Sequence, residues 1–295
     1  MQHVYIYRRK ALIYLILTIL CSSSITLLFR FTEKKDLNKY GMLCTNYIIC
    51  IASSLYFTGY NSNVIPSGHD GMKALGFGII NGFIYLAGLV LNQRNVKTNG
   101  PIMTATFSRL GLLIPITGSI IFLGERPGVI KISGMLLAVF AIIFVSSGNG
   151  KEESASKGFK EKLWLIIMLV VSGASGLLTK IFQHTGNGQW DNQFLLYTFT
   201  IAFILCTLLL IKSGKRIRFT DILYGIALGL PNYMSCRFEL KALNQVPAFI
   251  VFPSESICTI LVVSLFSMVI FKEKITKKQV ISILIIMAAL VLLNM

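Results

Sequence analysis

The chain has 295 residues, of which 54% are hydrophobic and 14% are charged, and its formal net charge is +16. About a quarter of the residues are charged in an ordinary soluble domain, so this chain has more apolar surface than a soluble fold can bury. A soluble enzyme or binding domain is therefore excluded. The mean hydropathy of +0.71 favours a helical protein that crosses a membrane several times, since about 20 apolar residues form one membrane-spanning helix.

Ten apolar runs of sufficient length follow one another along the sequence. The polar connections between them are short, and the longest, GNGKEESASKGFKEK, lies near residue 150, so none can hold a soluble catalytic domain. The first run continues through Cys21 to Phe31, which predicts an uncleaved first span and not a signal peptide. The ten predicted spans cover residues 11–31, 41–58, 72–92, 101–124, 129–147, 162–184, 190–211, 220–242, 246–271 and 277–294.

Residue types that form metal or cofactor sites are few. The three histidines are scattered, and the six cysteines lie inside predicted spans without a CxxC pair, so we predict buried thiols and no metal site. No loop of the type GxxxxGK[ST] occurs, and no cofactor is expected. The basic residues cluster between the apolar runs, which is typical of cytoplasmic loops and not of a nucleic-acid-binding surface.

The second half of the sequence repeats features of the first at an offset of about 148 to 150 residues. SSSITLLFR, which ends at Arg30, aligns with SGASGLLTK, which ends at Lys180. The GxxxG step at residues 78–82 aligns with the step at residues 225–229. Several coincidences at one offset indicate an internal duplication.

A short hinge of acidic and basic residues closes each half. Glu125 and Arg126 follow the fourth run, Glu273 and Lys274 follow the ninth, and each pair precedes a final apolar helix. We interpret the hinge mainly as a structural element, because Pro127 suits the first turn of a helix and acidic side chains complement the helix dipole. A functional role for the two glutamates is the alternative.

Duplicated halves with five spans each must enter the membrane from opposite sides. The sequence therefore predicts an all-α polytopic membrane protein with ten transmembrane helices as two inverted five-helix repeats. The predicted repeats are residues 1–147 and 161–295, joined by a polar linker at residues 148–160. Transporters built in this way bind substrate near the membrane midplane at the repeat interface. The glycine steps serve close helix packing or leave room for a ligand, and both interpretations stay open.

The complete pattern resembles the EamA-like branch of the drug/metabolite transporter superfamily. Four elements carry the resemblance: the GER and KEK hinges, the final helix after each, the small-residue first span ending in a basic residue, and the duplication itself. The resemblance covers residues 11–294 and implies ten helices, two inverted repeats, a central cavity and transport of small metabolites. The substrates of this family include amino acids, drugs, sugars and phosphorylated compounds, so the resemblance does not select one.

The side of the membrane that holds the termini stays open. Basic residues of the second half gather in the connections at residues 151–162, 212–218 and 272–278, which places these connections inside and both termini outside. The resemblance implies instead that both termini are cytoplasmic.

Two ionisable residues lie away from the predicted span ends. Arg109 is in the fourth span, in TATFSRLGLLIP, and Glu255 is in the corresponding part of the ninth, in VFPSESICT. Each costs about 2.5 to 3.5 kcal/mol in lipid on insertion scales, so both are predicted to face protein or a hydrated cavity. Three interpretations remain: a structural ion pair, a pair that grips a zwitterionic substrate, and a Glu255 carboxyl that carries a coupling proton.

Polar neighbours at helical spacing extend this candidate substrate-binding site. Thr106 lies three residues before Arg109, and Thr259 lies four residues after Glu255, so each shares a helix face with its neighbour.

The third and eighth predicted spans add further polar candidates. Asn81 and Tyr85 share a face of the third span, and by the repeat Asn232 falls opposite Tyr85. Hydrogen bonding between helices is the alternative role for each asparagine. Arg237, later in the eighth span, is expected at the mouth of the cavity.

The function that these features favour is secondary active transport. We expect a gradient-driven permease in a bacterial plasma membrane that moves a small polar or zwitterionic, amino-acid-like metabolite by alternating access, with a proton or another ion as coupling partner. A flippase for lipid-linked substrates or a multidrug exporter of the same fold is the alternative. The expected partners are the substrate and membrane lipids, and no catalytic residues are predicted.

Overall fold

The computed structural model describes residues 2–33, 35–59, 64–99, 101–146, 159–186, 188–271 and 277–294, with most of their side chains. The described ranges form eleven helices. In chain order these are α1 Gln2–Glu33, α2 Lys39–Thr58, α3 Gly68–Asn99, α4 Pro101–Leu110, α5 Leu113–Phe122, α6 Val129–Ser146, α7 Phe159–Thr185, α8 Asp191–Ser213, α9 Phe219–Leu243, α10 Ala248–Phe271 and α11 Lys277–Asn294. The predicted linker at residues 148–160 and the second hinge, with Glu273, lie largely outside the described residues.

Within the described part of the chain, six stretches are long and apolar enough to cross a membrane, and two shorter apolar helices accompany them. The protein is therefore an all-helical, multi-pass membrane protein, whereas the total of ten spans stays a prediction. The six stretches are Leu12–Thr32, Lys39–Thr58, Gly68–Asn92, Leu163–Thr185, Asp191–Ser213 and Ala248–Phe266, and the shorter helices are Phe107–Phe122 and Val129–Phe144.

The fourth predicted span is not one continuous helix. The helix predicted over residues 101–124 is interrupted after Leu110, where Gly111 and Leu112 form a turn between α4 and α5. Pro115 explains the interruption, because it has no N–H for the carbonyl four residues earlier and its ring clashes with that carbonyl. The Gly111 carbonyl accepts instead from the N–H of Ile114 at 3.0 Å.

Two compact units make up the chain. The first contains residues Met1–Leu86 and Phe182–Gln245, and the second contains Ala87–Ile181 and Val246–Met295. Each unit takes helices from both halves of the sequence, so the compact units and the predicted sequence repeats are different divisions of the chain.

In the first unit, α3 packs against α8 at the first glycine step. A Cβ at Gly78 would lie 2.7 Å from the Cβ of Tyr197, and one at Gly82 would lie 2.8 Å from the carbonyl oxygen of Thr198. Only glycine permits this approach, since real Cβ atoms do not come within 3.0 Å of such neighbours. The packing interpretation of this step is confirmed.

The second glycine step brings α9 onto α2 in the same way. A Cβ at Gly225 would lie 2.5 Å from the Cβ of Thr45, and one at Gly229 would lie 2.9 Å from the carbonyl oxygen of Asn46. Gly225 and Gly229 of α9 lie 147 residues after Gly78 and Gly82 of α3. The residues that α3 contacts on α8, at 197 and 198, lie 152 residues after those that α9 contacts on α2, at 45 and 46. The two contacts thus have the same register, with only the connection lengths differing.

In the second unit, α7 packs closely against the turn between α4 and α5. A Cβ at Gly173 would lie 2.4 Å from the carbonyl oxygen of Gly111, so glycine at 173 leaves room for the turn. The hydroxyls of Ser108 and Ser172 lie 3.3 Å apart beside this contact. The turn that follows Arg109 is therefore held by neighbouring backbone.

The close glycine contacts predict a sharp difference between two glycine-to-alanine variants. Gly229→Ala is expected to destabilise the protein by about 1 to 3 kcal/mol, because the added methyl overlaps Ile49 and the Asn46 backbone. Gly76→Ala is the control, since its Cβ would meet no atom within 4 Å and alanine favours helix by about 0.5 to 1 kcal/mol. Thermal unfolding in detergent measures both effects, and equal melting temperatures for the two variants would contradict the packing argument.

Candidate functional site

A chain of polar side chains joins three helices in the first unit. The Tyr85 hydroxyl on α3 donates to Asn232 Oδ1 on α9 at 2.8 Å, and Asn232 Nδ2 donates to Asn46 Oδ1 on α2 at 3.2 Å. The predicted position of Asn232 opposite Tyr85 is confirmed. Their role in substrate binding stays a prediction, because buried amides also serve as links between helices.

Asn81 forms a separate link. It is 4% exposed, and its Nδ2 atom lies 3.5 Å from Thr198 Oγ1 on α8. This contact fits the role of a hydrogen bond between helices, at the same level as the close glycine packing of Gly82.

Aromatic rings surround the polar chain. The ring centroids of Tyr47 and Tyr85 lie 6.3 Å apart, those of Tyr85 and Phe199 lie 5.8 Å apart, and those of Phe199 and Tyr233 lie 6.5 Å apart. Tyr47 is fully buried, and its hydroxyl has no hydrogen-bond partner among the described residues. A buried hydroxyl without a partner costs about 1 to 3 kcal/mol, so a bound water or ligand is the expected partner.

The Arg237 cluster, formed by Phe57, Asn192, Tyr233 and Arg237, adjoins these rings. Arg237 Nη1 donates to Asn192 Oδ1 at 2.9 Å and to the Tyr233 hydroxyl at 3.2 Å, while the guanidinium carbon lies 3.9 Å from the centroid of the Phe57 ring. Phe57 stacks on Tyr233 with centroids 5.7 Å apart. Asn192 Nδ2 donates to the Phe57 carbonyl at 2.8 Å, which orients its oxygen toward the arginine.

In the second unit, the structure brings Arg109 to Glu255 and its neighbour Ser256. Arg109 lies in the last turn of α4, and its Nη1 donates to the backbone oxygen of Ser256 on α10 at 3.0 Å. The charge of Glu255 acts on the guanidinium. Arg109 therefore lies beside Glu255, and its hydrogen bond goes to the backbone of α10.

Two hydroxyls near Glu255 are buried without partners. Ser254 and Thr259 are each 2% exposed, and neither hydroxyl oxygen has a hydrogen-bond partner among the described residues. Threonine in a helix usually donates to the carbonyl four residues earlier, so the orphaned hydroxyl of Thr259 is unusual. The side chain of Thr106 lies outside the part of the chain whose side chains are described.

The hinge residue Glu125 fixes the start of α10. Its two carboxylate oxygens accept from the N–H of Ala248 at 3.1 Å each, and Ser119 donates to Oε2 at 2.9 Å. Gly124 permits this turn with a φ of 68°, which favours glycine. We expected Glu125 to complement the helix directly after the hinge, whereas its carboxylate caps the helix that carries Glu255.

Lys180 completes the hinge with a buried ion pair. Its Nζ atom lies 3.1 Å from Glu125 Oε1, with the two side chains 7% and 14% exposed. A pair this deeply buried requires both partners, because either charge alone would be left without compensation in a low-dielectric environment. The structural interpretation of Glu125 is therefore supported.

The buried hinge predicts a large coupling between Glu125 and Lys180. Glu125→Gln is expected to destabilise the protein by about 3 to 5 kcal/mol, because it leaves the buried ammonium of Lys180 without its counter-charge. Lys180→Met combined with Glu125→Gln should recover at least half of that loss, since neither member of the pair is then charged. Unfolding of the single and double variants measures the coupling, and additive losses would contradict a buried ion pair.

Sequence reasoning did not identify several residues of these clusters. Asn46, Phe57, Asn192 and Tyr233 lie in apolar runs or at their ends and match no motif. The amide of Asn46, near the start of TNYIICI in an apolar span, was the available signal, since a lone asparagine in such a span needs a partner. Phe57 carried no signal at all, because its role depends on an arginine of α9.

Comparison with known proteins adds a family to this description. Residues 160–295 match the model of the EamA-like transporter family, whose members are membrane transporters. A protein of Haemophilus influenzae described as uncharacterized is 24% identical over 286 residues, covering 94% of this chain and 95% of its own. A solved crystal structure superimposes with a TM-score of 0.76 over 97% of this chain and 98% of its own, at 14% identity, which shows a shared fold.

Proposed function

Because residues 160–295 belong to the EamA-like transporter family, we propose that the whole chain is a secondary active transporter with ten membrane-spanning helices in two inverted five-helix repeats. It moves a small polar or zwitterionic, amino-acid-like metabolite across the plasma membrane by alternating access, driven by an ion gradient. The Haemophilus relative supports a bacterial source.

The mirrored glycine contacts of the first unit support the duplicated architecture. The contact of α3 on α8 and the contact of α9 on α2 use equivalent residues at constant offsets. Two further contacts, Tyr85 with Asn232 and Arg109 with Ser256, each join residues 147 positions apart. Equivalent residues of a two-fold repeat meet only near a symmetry axis, so each contact, taken by itself within its own unit, supports a two-fold repeat.

The observation that carries the function is the position of Arg109 beside Glu255 on α10. A charged side chain within an apolar helical region is expensive and marks a substrate or ion pathway by default. Arg109 already donates to a neutral backbone oxygen, and its planar guanidinium retains further donors that fit a substrate carboxylate. Glu255 offers the opposite charge for an ammonium group, and the orphaned hydroxyls of Ser254 and Thr259 offer hydrogen bonds.

Glu255 also suits the role of proton carrier. A carboxyl group in a weakly solvated site binds a proton when its counter-charge moves away and releases it when water or a cation returns. Substrate binding at Arg109 would alter that counter-charge, and this links the substrate to the proton. A purely structural ion pair is the competing role, and transport measurements distinguish the two.

A lipid-linked substrate is the second candidate, favoured by a crevice in the first unit. The crevice is shallow, apolar and open to solvent. Lys35, beside its rim, lies 4.6 Å from the ring centroid of Tyr224 and hydrogen bonds to its hydroxyl, so a cation is available for a lipid headgroup. The lining residues are Leu28, Phe29, Thr32, Met42, Tyr224 and Leu228.

Reconstituted vesicles test the proposed function. Purified protein is expected to catalyse exchange of a radiolabelled amino acid against the same unlabelled amino acid, and a pH gradient should drive its accumulation. Arg109→Gln should weaken the apparent affinity about 10- to 100-fold, which corresponds to one charge-assisted hydrogen bond of about 1.5 to 3 kcal/mol. Glu255→Gln should abolish accumulation and retain exchange.

Arg218→Gln is the control for these variants. Arg218 pairs with Asp36 in an exposed position, 2.9 Å apart, so its loss should leave transport unchanged. Normal transport by both Arg109→Gln and Glu255→Gln would reject the site. Transfer of a fluorescent lipid between leaflets, without exchange of any amino acid in the panel, would favour the flippase.

A further inference from the structure

We propose that the Arg237 cluster is a binding site for the carboxylate group of a small organic anion. The inference deepens the proposed function, on which it rests for the ligand being a transported metabolite. It adds a second polar anchor, located entirely in the first unit and independent of Arg109 and Glu255.

The guanidinium of Arg237 is held in one position by contacts on its face and on one edge. The Phe57 ring covers one face at 3.9 Å, and Nη1 is fixed by Asn192 Oδ1 and the Tyr233 hydroxyl. Asn192 is itself fixed, because its amide nitrogen is bonded to the Phe57 carbonyl. A donor group locked before the ligand arrives loses little conformational entropy on binding.

The opposite edge of the guanidinium is available. Nε and Nη2 of Arg237 have no hydrogen-bond acceptor among the described residues, and the side chain is half-buried. Two parallel N–H groups on one edge match the two oxygens of a carboxylate. The geometry therefore leaves the bidentate edge of the arginine for a ligand.

The hydrogen-bond partners of Arg237 leave its charge without a bonded counter-ion. Lys180 and Arg218 each contact a carboxylate directly, at 3.1 and 2.9 Å. The two acceptors of Arg237 are instead neutral oxygens, of Asn192 and Tyr233. A half-buried cation with neutral partners attracts an anion more strongly than one already paired.

The local charge favours a monoanion over a dianion. The charges of Asp191 and Lys241 act on each other and on Arg237, so the three together carry one net positive charge. A carboxylate balances one charge, whereas a phosphate ester would leave an excess of negative charge in a weakly solvated site.

Two further features fit a ligand with an apolar body. The hydroxyl of Ser54, one turn before Phe57 on α2, is fully buried and lies beside the Tyr233 hydroxyl of the cluster. The rings of Phe57, Tyr233 and Phe199 continue from the arginine toward the buried hydroxyl of Tyr47. Aromatic walls next to a fixed cation suit a hydrophobic carboxylate.

Ligand-dependent thermal unfolding of the detergent-purified full chain tests the site. The probes are benzoate, hexanoate and N-acetylphenylalanine, each measured beside its neutral amide, with phenyl phosphate as the dianion. We expect at least one carboxylate to raise the melting temperature in a saturable manner, and its amide and phenyl phosphate to have at least tenfold weaker effects.

Three variants of the cluster make the test specific. Arg237→Gln should remove the carboxylate response. Arg237→Lys keeps the positive charge but lacks the two parallel N–H donors, so it should weaken the response at least tenfold. Asn192→Asp provides an internal carboxylate for the arginine at almost unchanged size, so it should abolish binding even if Arg237→Gln does not fold. Arg94→Gln is the matched control, because Arg94 also lies over an aromatic ring, that of Trp164 at 3.8 Å.

The outcomes separate this inference from the proposed function. A carboxylate response that persists in Arg237→Gln and Asn192→Asp, or no response to any of the three carboxylates, overturns the inference. A response lost in the two cluster variants and kept in Arg94→Gln supports it. A response lost in Arg109→Gln and unaffected by the cluster variants supports the site of the second unit alone and overturns the Arg237 site.

Discussion

Close approach of helix backbones is the constraint on which the rest of this structure depends. Lipid tails are as apolar as leucine, so helices in a membrane associate through packing and hydrogen bonds and not through apolar burial alone. At Gly78 and Gly225 neighbouring helices come too close for any side chain. The amides of Asn46, Asn232 and Asn81 lie in the same packed region, where short distances between helices let one amide reach another. The polar contacts therefore depend on the packing, because a larger side chain at the glycine positions would move the helices apart and separate the asparagines from their partners.

The proline in α5 has the opposite effect, since it opens the backbone and does not tighten it. Pro115 ends α4 shortly after Arg109, and Gly173 of α7 makes room for the resulting turn. A side chain in the last turn of a short helix can extend past the helix end, and Arg109 thereby reaches the backbone of Ser256 on α10. The hinge positions the other helix of this contact, α10, because Glu125 caps its first residue, Ala248. An interrupted helix and a capped helix together place the charged residues of the second unit.

Sequence reasoning predicted most helices and part of the site, for different reasons. Apolar run length depends on composition alone, so the predicted spans agree with α2, α6, α8 and α9 to within a few residues. The repeat offset correctly placed Asn232 opposite Tyr85, because equivalent positions carry information about distant contacts. The cap from Glu125 to Ala248 and the stacking of Arg237 on Phe57 could not be predicted, since each depends on how far two helices stand apart and on side-chain direction. Neither quantity is contained in a pattern of residue types along one chain.

The cations Lys180, Arg109 and Arg237 differ in the charge of their partners. Lys180 contacts a carboxylate that also accepts hydrogen bonds from Ser119 and from the N–H of Ala248. Its charge is therefore already compensated by a group of the chain. Arg237 and Arg109 donate to neutral oxygens, which orient a guanidinium without neutralising it, although Arg109 also has the charge of Glu255 beside it. In a weakly solvated environment an oriented and incompletely compensated charge is stable only because surrounding packing holds it. In the proposals made above, an incoming anion supplies the compensating charge that these neutral acceptors lack. The carboxylate partner of Lys180 fits a structural role, whereas the neutral acceptors of Arg109 and Arg237 are the basis of the binding roles proposed for them.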